Sequence, residues 1–241
     1  MIVTNVLSDV ERILVVTAHP DDIDFGAAAT IAGWVDDGIE VRYCLVTRGD
    51  AGGFDNTPRE QMPVLREEEQ RAAAAEVGVK HLTFLDYPDG QVYLTHELRR
   101  DLTRQIREFR PDRVLTHSPQ RNWARIGTGH PDHLAVGEAT LCAVYPDARN
   151  PFAHPELLAT EGLGAWTVRE VWLMGGPDPD HAVDVTDTVD RKIAALRRHV
   201  SQTSHLPDLA GMVRGWLTAN AAEKGLPDGR LAEVFQVVNT S

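Results

Sequence analysis

The sequence predicts an α/β protein with a Rossmann-like, mostly parallel sheet and helices on both faces. Three observations lead there. Short apolar or β-branched runs recur at 12–17, 40–47, 82–85, 112–116 and 168–174. Segments of helical character separate most of them. Gly38, Gly78 and Pro111 fall at the boundaries between the two kinds of segment. Alternation of this kind needs crossover connections, which puts the strands parallel and the helices outside.

Residues 12–17 hold Ile13-Leu14-Val15-Val16 and read as a buried strand, ended by the turn His19-Pro20-Asp21-Asp22. Residues 26–37 are Ala-rich and stop at Gly38, a helix with its C-terminal cap. Residues 40–47 are the second strand. Gly49, Gly52, Gly53, Pro58 and Pro63 make 48–63 a long loop. A charged helix at 64–77 closes near Gly78. A strand at 82–85, a helix at 95–109 and a strand at 112–116 follow, the last two separated by Pro111. Residues 117–129 are a second long loop, and 131–145 read as helical. Beyond residue 146 the pattern weakens: 146–165 reads as irregular, 168–174 as a strand, 187–203 as a helix with Ile193, Leu196 and Val200 on one face, and 207–222 as a further helix. We expect one domain over residues 1–241.

Bulk properties narrow the function. Hydrophobic residues at 42% and charged residues at 25% are ordinary for a globular chain. A formal charge of -12 argues against a nucleic-acid partner, which needs clustered Lys and Arg. No apolar stretch is long enough for a membrane span, and no basic region precedes the first apolar run, so no secretory signal is expected. Cys44 and Cys142 stand apart among apolar residues, consistent with buried free thiols in a reducing, cytoplasmic compartment.

The chemistry concentrates in two clusters. His19-Pro20-Asp21-Asp22 follows the first strand directly, and His130-Pro131-Asp132-His133 follows the second long loop. Both, with loop 48–63, fall at carboxyl ends of parallel strands, the edge where such sheets bind ligands. Two imidazoles and a carboxylate with an open position make a hydrolytic zinc site. Residues i and i+3 of a turn can share an ion, so His19 and Asp22 pair naturally, with one histidine of the second cluster completing the set. Asp21 is then free beside the metal to take a proton from bound water. The remaining histidine can steady the reacting group, and Asp132 can orient it.

Each residue also has a plainer reading. His-Pro-Asp is a common turn, with Asp capping a helix. Asp24 reads better as a helix N-cap than as a ligand. His117 reads equally as a site-lining or structural residue. His81, His96, His154 and His181 read as surface residues, Trp123, Trp166 and Trp172 as packing, and Glu67-Glu68-Glu69 as a solvated helix face.

Taken together, Ala18-His19-Pro20-Asp21-Asp22, Thr47-Arg48-Gly49, Arg66-x-x-Glu69 and Gly129-His130-Pro131-Asp132-His133 resemble the LmbE-like, or PIG-L, family of zinc-dependent N-deacetylases. The match runs over roughly 12–145, and Lys192 to Gln202 is similar to the family's C-terminal helix. The resemblance implies His19, Asp22 and His133 as zinc ligands, Asp21 as general base, and His130 as acid or electrostatic stabiliser. It implies Asp132 as the group orienting His130, and Arg66 as a substrate-placing residue. Two positions depart from the pattern. Thr128 stands where some relatives have a tyrosine that contacts the reacting carbonyl, and Ile23 stands where Glu is common.

The expected activity is removal of an N-acyl group, acetyl first, from a small-molecule amino sugar. The family also includes amidases of mycothiol conjugates, which are the alternative. Its members often form symmetric assemblies, which leaves a homo-oligomer open. Two rivals come from other classes. A non-haem iron oxygenase shares the two-His-one-carboxylate set but has no use for the spare carboxylate. A sugar-binding protein without catalysis has no need of Asp21 and His130. A nicotinamide enzyme is disfavoured, because His-Pro-Asp-Asp occupies the place of G-x-G-x-x-G.

Overall fold

The computed structural model describes residues 7–54 and 57–240. In chain order its elements are β1 (Arg12–Thr17), α1 (Asp22–Gly26), α2 (Ala28–Asp36), β2 (Glu40–Thr47), α3 (Met62–Glu76), β3 (His81–Tyr87), α4 (His96–Phe109), β4 (Arg113–His117) and α5 (Pro131–Cys142). Then come α6 (Pro155–Glu161), β5 (Glu170–Met174), β6 (His181–Asp184), α7 (Val189–Arg198), α8 (Val200–Thr203), α9 (Leu209–Glu223) and β7 (Ala232–Asn239).

The strands form one sheet in the order β3-β2-β1-β4-β5-β7-β6. The first five pair in parallel, and β7 runs antiparallel to both β5 and β6. Strand order reverses between β1 and β4. A crevice opens at such a switch point, beyond the carboxyl ends of the strands. Thr17 ends β1 and His117 ends β4, so both predicted clusters start at this crevice.

Alternate side chains of the parallel strands feed two cores. Ile13, Val15, Tyr43, Leu45 and Leu115 pack against α2 and α3. Leu14, Val16, Cys44, Val46 and Val114 pack against α4 and α5. Burial on both faces explains why these strands read as continuous apolar runs. A third cluster joins Ile193 and Leu196 of α7 to Val213 and Leu217 of α9.

Several expectations are corrected. The Ala-rich helix expected over 26–37 is α2, which starts only at Ala28; the short helix α1, not anticipated, precedes it and ends at the break at Ala27 (φ -148°, ψ 4°). Asp24 does not cap it; it lies buried inside α1. Of the loop 48–63, residues 55 and 56 lie outside the described residues, and α3 already starts at Met62, with Pro63 in the first turn where its missing N–H costs nothing. α5 stops at Cys142; Tyr145, before Pro146, is extended (φ -143°, ψ 119°), as a pre-proline residue prefers. The irregular stretch 146–165 contains α6. The helix expected at 187–203 is broken at His199 (φ -80°, ψ 62°). Strands β6 and β7 were not anticipated.

Burial also differs from expectation at single residues. His154 is buried against Asp147, at 3.3 Å. Glu69 is buried and accepts from Ser201 N (2.8 Å) and Oγ (2.6 Å). Trp172 packs in the core, whereas Trp123 is 81% exposed. Cys44 is buried, which pushes its thiol up to about 12; Cys142 is only half-buried.

Candidate metal centre

The first cluster is a strained turn. His19 N–H donates to Asp22 Oδ2 at 2.7 Å, closing it. Asp21 sits in the left-handed region (φ 92°, ψ -28°), which costs an L-residue roughly 1–2 kcal/mol. Its backbone is held on both sides. Asp21 N–H donates to Gln70 Oε1 at 2.8 Å, and Asp21 O accepts from Asp24 N and Phe25 N, both at 2.9 Å.

The second cluster is a helix start. Pro131 begins α5, and His130 is its N-cap, its Nδ1 accepting from Asp132 N at 3.2 Å. The Asp132 carboxylate turns the other way. It accepts from His19 Nε2 (3.1 Å), Gly90 N (2.7 Å) and Val92 N (3.2 Å). Asp132 therefore orients His19, not His130 as the resemblance implies.

Hydrogen bonding assigns the tautomers of the two histidines. Carboxylates and carbonyls only accept. His19 Nε2 faces Asp132 and Asp89 (3.0 Å), so Nε2 carries a proton. His133 Nδ1 faces Thr128 O at 3.3 Å, so Nδ1 carries a proton there. In the neutral rings, His19 Nδ1 and His133 Nε2 then hold lone pairs. These two nitrogens are 3.3 Å apart. Asp22 adds Oδ1 at 3.0 Å from His133 Nε2 and Oδ2 at 3.4 Å from His19 Nδ1. Tetrahedral bonds of about 2.0–2.1 Å put neighbouring donors about 3.3 Å apart. The three residues expected as ligands have that spacing, and the His/Asp group fits a divalent ion.

Two further side chains share the edge. His117 lies 3.3 Å from Asp22 Oδ2, but its Nε2 accepts from Ala18 N at 3.2 Å, so its lone pair is used. Its ring stacks on His133 at 4.1 Å and backs that imidazole. Asp89, in the turn after β3, was not singled out from sequence; it meets His19 Nε2 at 3.0 Å and accepts from Ala51 N at 3.1 Å. The rule that located the two clusters, a polar turn at a carboxyl strand end, points to Pro88-Asp89-Gly90 as well.

The electrostatics ask for a cation. Burial depresses His19, yet Asp132, Asp22 and Asp89 overcome it and push its imidazole up to about 12. Burial raises Asp22, but His133 and His117 hold it well below the usual carboxylate range. Asp21 is raised to about 6, mainly by burial, against the pull of Arg66. Burial and the neighbouring His19 and His133 lower His130, and burial and His133 lower His117 to about 4.

Arg66 is turned inward. It is 4% exposed and donates to Pro20 O (2.6 Å) and Gly49 O (3.2 Å), with Asp21 Oδ2 at 3.4 Å. It does not reach the pocket mouth, where substrate placement needs it. Gly49 (φ 69°) makes room: a Cβ there would stand 2.5 Å from the guanidinium.

A cavity of about 630 Å³ runs from Asp22, His117 and His133 toward α9, walled by Phe25, Met174, Trp216 and Lys192. Lys192 is locked to Glu233 at 2.6 Å and Phe25 O at 2.7 Å. Thr128 also lines it, its Oγ1 within reach of Arg125 O (2.9 Å) and Gly175 O (3.0 Å). Its hydroxyl proton is engaged by backbone, so it does not replace the tyrosine of some relatives.

Comparison with known proteins shows the family of the chain. Residues 14–144 match the PIG-L family model, described as GlcNAc-PI de-N-acetylase. The chain is 33% identical to a diacetylchitobiose deacetylase of Thermococcus kodakarensis, over 81% of this chain and 71% of the relative. It is 30% identical to a 1D-myo-inositol 2-acetamido-2-deoxy-alpha-D-glucopyranoside deacetylase of Mycobacterium sp. (strain JLS), over 83% and 76%. The structure of the N,N'-diacetylchitobiose deacetylase from Pyrococcus horikoshii, complexed with an inhibitor, superposes with a TM-score of 0.87 at 27% identity, covering 96% of this chain and 85% of that one. The chain belongs to the PIG-L family of de-N-acetylases.

Proposed function

We propose that this chain is a zinc-dependent hydrolase that removes the N-acetyl group of an amino-sugar-containing small molecule. The observation that carries the reading is the convergence of two imidazole lone pairs and the Asp22 carboxylate at 3.0–3.4 Å, with Asp21 left unligated beside them. His19, Asp22 and His133 would hold the ion. When bound, zinc supplies a Lewis acid that acidifies water and polarises an amide carbonyl. Asp21 accepts the proton of the attacking water and holds it within the site. His130, 4.9 Å from His19 between ring centres and exposed to solvent, steadies the oxygen that gains charge. The proton held by Asp21 leaves with the amine, so that one water yields acetate and a free amino sugar.

The relatives named above act on acetylated chitobiose and on an inositol-linked acetamido sugar, which supports this substrate class. The test is zinc-loaded protein with N,N'-diacetylchitobiose, N-acetylglucosamine and the inositol glycoside. Acetate and primary amine should appear in equal amounts, stop with a chelator, and return with zinc. Oxygen uptake with iron and no acetate would overturn the reading in favour of an oxygenase. Binding of these sugars without turnover, at full zinc occupancy, would overturn it in favour of a binding protein.

A further inference from the structure

We propose that His199 is a positioning residue for Asp21, acting through Asp24 and Gln70; this rests on the reading of Asp21 as general base. The chain of contacts is continuous and buried. His199 Nε2 donates to Asp24 Oδ2 at 2.7 Å. Gln70 Nε2 donates to the same oxygen at 2.8 Å. Gln70 Oε1 accepts from Asp21 N at 2.8 Å. His199, Asp24 and Gln70 are each 0% exposed.

The order of donors matters. A glutamine amide can face either way, and only one way places an acceptor on Asp21 N–H; the flipped amide opposes two donors. Asp24, a pure acceptor, selects the productive sense by taking the amide N–H. His199 holds Asp24 in place from the other side. The selected amide then fixes the left-handed backbone of Asp21 (φ 92°) and with it the direction of the carboxylate.

The fold bends to deliver His199. The helix breaks there (φ -80°, ψ 62°), which turns the imidazole inward between α7 and α8. The junction has its own anchors: Ser201 N and Oγ on Glu69, at 2.8 and 2.6 Å, and Thr203 Oγ1 on His199 O at 2.9 Å. Losing the imidazole therefore leaves the junction seated. Glu69 and Gln70 are adjacent on α3, so one helix carries both the brace and the relay.

The test compares His199→Asn, too short to reach Asp24, with His199→Gln, whose amide nitrogen can. Zinc-loaded enzyme is assayed on N,N'-diacetylchitobiose, with zinc per chain measured and the His199→Asn structure determined. His199→Asn should lose roughly 10- to 100-fold in kcat, the scale of a small misplacement of a reacting group. Its KM and zinc content should hold, and Asp21 should leave φ near 92°. His199→Gln should recover most of the rate. The proposal is overturned if His199→Asn keeps wild-type kcat, if both variants lose equally, if zinc is lost, or if Asp21 and Gln70 are unmoved in the variant structure. Should His199→Asn not fold, Gln70→Leu asks the same question, and wild-type kcat there overturns it. Asp21→Asn is the control: full activity in that variant sinks the general-base reading itself, whereas a loss there with none at His199 sinks only the relay.

Discussion

The two His-Pro-Asp clusters share three letters and are built in opposite ways. In the first, the turn is strained, and α3 holds it from outside: Arg66 on Pro20 O, Gln70 on Asp21 N. In the second, Pro131 and His130 simply begin α5, with Pro where a helix accepts it and the side chain of His130 as cap. A strained turn needs support but can aim two adjacent carboxylates in different directions. A helix start needs no support and places His130 and His133 three residues apart on one side. On the function proposed above, the first cluster therefore supplies both ligand and base, and the second supplies a ligand, a facing imidazole and a brace.

The largest expected effect comes from removing a donor of the proposed zinc centre. His19→Ala and His133→Ala should each empty the centre and abolish turnover, since each takes one of three donors. Metal analysis of the purified variants checks this, and full occupancy in both would refute the ligand set. Next is the division of labour within the first cluster. Asp21→Asn keeps shape but cannot take a proton, and should lower kcat by roughly 10²–10⁴ with zinc retained. Asp22→Asn should lose zinc instead. If the two variants exchange behaviour, the roles assigned to the neighbours must be exchanged.

Asp132 tests whether the clusters cooperate across the crevice. Its carboxylate braces His19 at 3.1 Å, while its only bond to His130 is through its backbone N–H. Asp132→Asn should therefore weaken zinc affinity by about 10- to 100-fold, as loss of a ligand-orienting partner does. If it acted on His130, the same change would lower kcat at unchanged zinc affinity. Competition with a chelating dye, read beside kcat, separates the two.

Most of the carboxyl edge was legible in sequence because its signals are local. Buried parallel strands show as apolar runs, and the turns after them carry the polar letters, so the sequence alone puts both His-Pro-Asp clusters at this edge. What was not legible depends on contacts between distant segments. Arg66 reads, through the family resemblance, as a substrate-placing residue; only the approach of Gly49 and Pro20 makes it an inward clamp. Asp24 reads as a cap because nothing local announces His199, 175 residues away. β7 was missed because Glu233 and Gln236 interrupt its apolar pattern; Glu233 belongs inside once Lys192 meets it at 2.6 Å. Buried charges with remote partners defeat periodicity, and this centre is surrounded by them.

The smallest effect concerns the support of the first cluster, read as stability against pH. Burial opposes the charge on His199, but Asp24 outweighs it and holds the imidazole above its ordinary value. A group whose pKa is raised on folding stabilises fully below its unfolded value, and that contribution fades as pH rises through the folded value. The unfolded value is about 6.5, so stability should be lost from about pH 6.5 upward. For a chain of this size each kcal/mol lost lowers Tm by about 2–4 °C. In the second cluster, burial and neighbouring imidazoles lower His130 rather than raise it, so His130 should add no matching slope. Thermal melts of zinc-loaded wild type and His199→Gln across pH 6–9 make the comparison: the variant's amide does not titrate, so the difference in Tm between the two should shrink or reverse as pH rises. A difference that stays constant across the range would mean that His199 carries no folding-linked proton there.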